Sequence, residues 1–112
     1  MKLLLTSGGV SNPSIRAALA DLLPKPIEDC IALCIPTAEW GHTSCTPASA
    51  FRFVTGVYET ALMTTLGWKS VGLLELTALP SIGAERWVPW VQEADVFLAD
   101  GGDATYLCHW MR

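Results

Sequence analysis

Charge is what this sequence has least of: 16% of its 112 residues are Asp, Glu, Lys or Arg, against roughly 25% in an ordinary soluble domain. The seven basic residues are scattered and the formal net charge is −4. With no basic patch, the chain lacks the electrostatic footprint of a nucleic-acid binder. No run approaches the roughly 18 apolar residues that a bilayer span needs. The opening Met1-Lys-Leu-Leu-Leu-Thr is too short in its apolar part for a secretory h-region. A cytoplasmic protein with no membrane contact is expected, so that Cys30, Cys34, Cys45 and Cys108 are reduced thiols.

Cofactor motifs are missing too. No Gly-x-Gly-x-x-Gly and no Walker-type Gly-Lys-Ser/Thr occurs, which weighs against a flavodoxin-like nucleotide binder. His42 with Cys45, and Cys108 with His109, lack the paired Cys-x-x-Cys or His-x-x-x-His spacing that supplies a tetrahedral zinc set. Neither a metal nor another cofactor is expected. No Gly-x-Ser-x-Gly elbow is present to present a nucleophile.

Apolar residues, by contrast, make up 51% of the chain. The excess points to elements buried on two sides, or to a surface that expects a partner. The length suits one small α/β domain over residues 1–112. Four short apolar segments read as strands: Lys2–Thr6, Cys30–Ile35, Ser70–Leu76 and Asp95–Ala99. Helices alternate with them. Asn12 followed by Pro13 is an N-cap with a first-turn proline, and Ile15, Ala18, Leu19 and Leu22 then share a face until Pro24 and Pro26 end the helix. Thr46-Pro47 repeats that signal for a helix to Leu66, along Phe51, Val54, Tyr58, Leu62 and Leu66, with Gly56 a weak point and Gly67 its end. Ala84–Ala94 is helical around Trp87, Trp90 and Val91, kinked or restarted at Pro89. A last helix begins near Ala104. Continuous apolar strands alternating with amphipathic helices predict a parallel sheet of about four strands with helices on both faces, flavodoxin-like in arrangement.

In such a sheet ligands bind beyond the carboxyl ends of the strands. Those ends are Thr6-Ser-Gly-Gly, Pro36-Thr-Ala-Glu, Leu76-Thr-Ala and Asp100-Gly-Gly-Asp. The last stands out. Gly101-Gly102-Asp103-Ala-Thr105 can aim N–H groups at a carbonyl oxygen at the start of a helix, or it can be a tight turn with Asp103 as N-cap. Ser7-Gly8-Gly9 reads as a turn into the first helix. Glu39 and Asp100 both stand near strand ends, with nothing in their spacing to pair them as acid and base. His42 lies in a loop beside a strand end and reads as solvated. Cys30 and Cys34 share a strand face and read as small core residues. The five tryptophans read as core and interface, since no basic residues interleave with them.

Leu3-Leu-Leu-Thr-Ser-Gly-Gly, Ile35-Pro-Thr-Ala, Leu74-Glu-Leu-Thr and above all Leu98-Ala-Asp-Gly-Gly-Asp-Ala-Thr-Tyr-Leu resemble the N-terminal half of peptidase E-like serine peptidases. The resemblance implies a class I glutamine amidotransferase-like fold, incomplete in this chain, and a cytoplasmic exopeptidase or dipeptidase acting on short peptides with N-terminal aspartate. It also implies a serine nucleophile on an elbow one strand after the glycine pair, with a His and an acid beyond it. None of these has a matching position here, so no catalytic residue is assigned and the chain alone is expected to be inactive. By the resemblance Gly101 and Gly102 lie beside the oxyanion, and Asp103 and Thr105 near the substrate. Asp103 stands where many members carry Asn, and a carboxylate there repels a substrate carboxylate. The alternative expectation is a non-catalytic α/β binding or assembly module that self-associates through exposed apolar surface, drawing on Tyr106, Leu107, Trp110 and Met111 of the last helix.

Overall fold

The computed structural model describes residues 1–57 and 63–112. Three parallel strands form its sheet: β1 (Ile31–Ile35), β2 (Ser70–Leu73) and β3 (Val96–Ala99), in the order β2-β1-β3. The central strand registers Ala32 with Val71 on one side and with Val96 on the other. Cys30, Ala32 and Cys34 are completely buried. Their small side chains let the backbone of the covering elements come close, which is the packing role the sequence suggests for both cysteines.

Helices cover both faces, as the apolar strands require. On one face α1 (Pro13–Leu22) and α2 (Pro47–Thr55) send Leu19 and Phe53 onto Ala32, Cys34 and Leu98, with Trp68 and Ile27 closing the layer. On the other, Leu33, Ile35, Leu74 and Leu76 meet Val91 of α3 (Ala84–Glu93) and Leu107 and Trp110 of α4 (Ala104–Met111). Fully burying each such aliphatic side chain contributes about 1.5–3 kcal/mol. The result is an α/β sandwich compatible with a flavodoxin-like arrangement.

The helix starts follow their signals. Asn12 Oδ1 accepts the Ile15 N–H at 2.8 Å, and Pro13 occupies the first turn of α1. Thr46 and Ser49 form a reciprocal capping box at α2, again with a leading proline. Pro89 is accommodated inside α3.

Two expectations need correction. Lys2–Thr6 forms no strand: the described sheet has three, not four. Leu3 and Leu5 are exposed, and only Leu4 reaches the core. Both edges of β1 are occupied by β2 and β3, and Lys2–Thr6 joins neither of their outer edges. Pairing is a long-range event that local composition does not encode. The second helix stops at Thr55, not Leu66. Gly56 adopts φ 65° and donates its N–H to the Arg52 carbonyl, which is a left-handed C-terminal stop. Of the helix residues expected beyond it, Tyr58 and Leu62 lie outside the described residues, and Leu66 packs against the first core. The other differences are shorter: β2 ends at Leu73, and a 3-10 segment takes over at Leu76–Ser81.

Candidate functional site

The carboxyl ends of the three strands converge on one side of the sheet. After β1 the chain enters a 3-10 segment, Thr37–Gly41, that packs against α4. Gly41 lies against Asp103 and Tyr106 so closely that an added Cβ would stand 2.8 Å from the Asp103 Cβ. The turn after β3 is built onto the same segment. Asp103 N–H donates to the Ala38 carbonyl at 2.9 Å. Gly102 has φ 144°, and a Cβ there would collide with the Ala38 carbonyl. Glycine at 102 is thus required both by backbone angle and by space.

Gly101 behaves differently. Its φ lies outside the positive region, it is exposed, and nothing would approach an added Cβ within 4 Å. Its N–H donates to Asp100 Oδ1 at 2.8 Å. The two glycines therefore divide the work: Gly102 closes onto the protein, while Gly101 leaves an open approach to the backbone.

Asp103 caps α4, its Oδ1 accepting the Tyr106 N–H at 2.7 Å. Thr105 is exposed and lines a shallow groove with Cys108, His109 and Arg112. Gly101, Gly102 and Asp103 form one continuous turn on the Thr37–Gly41 segment, whereas Thr105 lines a separate groove on α4.

The structure also joins two acids whose pairing no spacing announced. Asp100 lies one residue past β3 and Glu39 four past β1, close enough for Glu39 to act on the Asp100 carboxyl. Burial, the hydrogen bond with Glu39 and its charge raise the Asp100 carboxyl from 3.8 to about 7, while the Gly101 N–H pulls it down. The Asp100 carboxyl thus keeps its proton up to near neutrality, next to the open glycine. The signal that could have found them is the register of Ile35 with Ala99, since residues just beyond adjacent parallel strand ends become neighbours. That pairing of strands was the missing information.

A second link ties β1 to β2. Thr37 is fully buried, donates its hydroxyl to Glu75 Oε1 at 2.5 Å and accepts the Leu76 N–H at 3.1 Å. His42 is exposed, and its Nδ1 accepts the Ser44 N–H at 3.1 Å with the Ser44 hydroxyl 2.6 Å away. This is a local loop contact. Among the described residues, no group of three or more His, Cys, Asp or Glu is arranged to hold a metal ion, and no helix is long and apolar enough to cross a membrane.

No protein-family model, curated protein or solved structure matches the chain.

Proposed function

We propose that these residues form the oxyanion side of a cytoplasmic serine-type exopeptidase or dipeptidase of the peptidase E-like kind, within a class I glutamine amidotransferase-like sheet. The substrates are short peptides; enzymes of this kind prefer N-terminal aspartate, a preference that the Asp103 carboxylate opposes here. The observation that carries the reading is the open backbone at Gly101, which has no neighbour of its own within 4 Å and sits beyond the carboxyl end of β3. A peptide carbonyl approaching there meets the amide groups at the start of α4, where developing negative charge is favoured. Gly102 and Asp103 hold that backbone in place through Ala38. Asp103 caps the helix that the turn opens, while Thr105 stands apart from it, on the groove along α4.

The serine nucleophile and its His and acid partners would come from a further strand and the segments after it. The free outer edge of β3 is where such a strand fits the described sheet. Without a nucleophile, an oxyanion turn leaves only weak residual catalysis, and these residues alone should not turn over Asp-containing dipeptides.

The test is a fusion of residues 1–112 to the C-terminal half of a peptidase E-like enzyme. Hydrolysis of Asp-Xaa dipeptides is expected, and Gly101→Val should abolish it while leaving thermal unfolding unchanged. A folded but inactive fusion, or full activity in the Gly101→Val fusion, would overturn the assignment. A non-catalytic assembly module is the second reading. It is favoured by the apolar exposure of β2, where Val71 is 40% and Leu73 53% accessible.

A further inference from the structure

The turn that opens α4 uses its backbone donors in two ways. Asp103 N–H donates to the Ala38 carbonyl at 2.9 Å, and Tyr106 N–H to Asp103 Oδ1 at 2.7 Å. Both bonds fix the turn and are closed to a ligand. Gly101 is exposed, and its N–H is held at 2.8 Å by Oδ1 of the residue before it, Asp100. Nothing else would stand within 4 Å of a Cβ at Gly101. A carbonyl oxygen that comes to this donor therefore has to displace the Asp100 carboxyl.

Electrostatics decide how firmly that carboxyl stays. Ionised, it makes a charge-assisted hydrogen bond to the amide, shorter and stronger than a neutral one. Its backbone is fixed, because Asp100 N–H donates to the Ile35 carbonyl at 3.1 Å and Gly102 is seated on Ala38. Only the side chain is left to turn. On the side of the Thr37–Gly41 segment, Glu39 acts on it, and both acids are half-buried. Two carboxylates repel, so a charged Asp100 is pressed onto the glycine. A protonated Asp100 has an O–H to donate to Glu39 and keeps only a neutral oxygen for the Gly101 N–H. Asp103, the acid on the α4 side, is committed to its helix cap. Burial first, and then Glu39, raise the Asp100 carboxyl to about 7, so the exchange between the two arrangements falls near neutral pH.

We infer that Asp100 is a removable stopper on this turn: its carboxylate occupies the Gly101 N–H that a substrate carbonyl would take, and protonation turns it to Glu39 and frees the donor. The inference rests on the oxyanion reading of the turn and adds a regulation to it. Acid opens the turn and alkali closes it. One pH unit above the Asp100 midpoint about one chain in ten is open, which weakens apparent substrate affinity about tenfold.

Proton–nitrogen NMR of residues 1–112 reads the donor directly, and the spectrum itself shows whether each variant is folded. The Gly101 amide proton should move downfield as pH rises, with a midpoint near 7, because the bond to a carboxylate is the stronger one. Asp100→Asn, the permanently neutral form, should abolish that titration, and Glu39→Gln should lower its midpoint. In the fusion to a peptidase E-like C-terminal half, Asp100→Asn should raise kcat/KM for an Asp-Xaa dipeptide about tenfold at about pH 8 and leave it unchanged at about pH 6. A Gly101 amide that does not titrate, or keeps its midpoint in Glu39→Gln, would overturn the stopper. So would equal kcat/KM of the parent and Asp100→Asn fusions at both pH values. An inactive fusion whose Gly101 amide titrates near 7, and loses that titration in Asp100→Asn, counts against the peptidase reading and supports the stopper.

Discussion

Replacing Gly102 by alanine tests how the turn after β3 is held. Two costs can be worked out. At φ 144° an alanine sits in a region essentially reserved for glycine, which costs on the order of 1–3 kcal/mol. Its Cβ would also overlap the Ala38 carbonyl and crowd the Glu39 nitrogen at 2.8 Å. To escape, the turn must move away from the Thr37–Gly41 segment. That motion breaks the Asp103 N–H to Ala38 bond of 2.9 Å, a further loss of about 0.5–1.5 kcal/mol. Together the loss is roughly 2–4 kcal/mol, a large share of the 5–15 kcal/mol typical of a domain. At roughly 4 °C per kcal/mol the midpoint should fall by roughly 8–16 °C. Gly101→Ala is the internal control. With no neighbour within 4 Å and no positive φ, it should range from no change to a gain of about 1 kcal/mol through the unfolded chain. Urea and thermal unfolding of the two variants side by side decide the matter. Gly102→Ala within about 0.5 kcal/mol of the parent, or equal loss in both, would refute the division of labour between the glycines.

Two further outcomes follow from ionisation. The folded-state carboxyl of Asp100 is raised, from 3.8 to about 7, so its contribution to stability is fully present below about 3.8 and is lost as pH rises through about 7. Urea midpoints measured across that window should therefore decline less in Asp100→Asn, and an unchanged slope would show that the Asp100 carboxyl is not raised in the fold. Burial pushes the Cys34 thiol up to about 11, and burial followed by the charge of Asp95 raises Cys30. A thiol reagent at pH 7.5 should label Cys45 and Cys108 in the folded chain and all four only after unfolding, whereas rapid labelling of Cys34 would contradict its burial.

Local signals carried the helix starts well. Asn12-Pro13 and Thr46-Pro47 act through hydrogen bonds within three residues, so their meaning is complete in the sequence. Helix ends were less secure. Gly56 and Gly67 both take positive φ, at 65° and 97°, and nothing local says which of the two stops α2. The Lys2–Thr6 segment shows the larger limit. Its composition suits a strand, but whether it pairs depends on which edges remain free after β2 and β3 have flanked β1. The candidate site divides in the same way. The turn Gly101-Gly102-Asp103 and its helix cap were readable, because a cap is a contact between near neighbours. The Asp100–Glu39 and Thr37–Glu75 contacts were not, because they join residues 61 and 38 positions apart through the order of strands.

The sequence by itself determined the alternation of apolar strands and capped helices, the small buried face of Cys30, Ala32 and Cys34, and the glycine turn that opens α4. Each follows from periodicity or from bonds spanning a few residues. Only the tertiary structure decided that three strands and not four make the sheet, that β1 lies at its centre, and that Gly102 is locked onto Ala38 while Gly101 stays open. It alone brought Asp100 beside Glu39 and set β2 at the edge of the described sheet. The reason is physical: strand order is chosen by the burial of all the apolar faces together, and no single segment of the chain holds that sum.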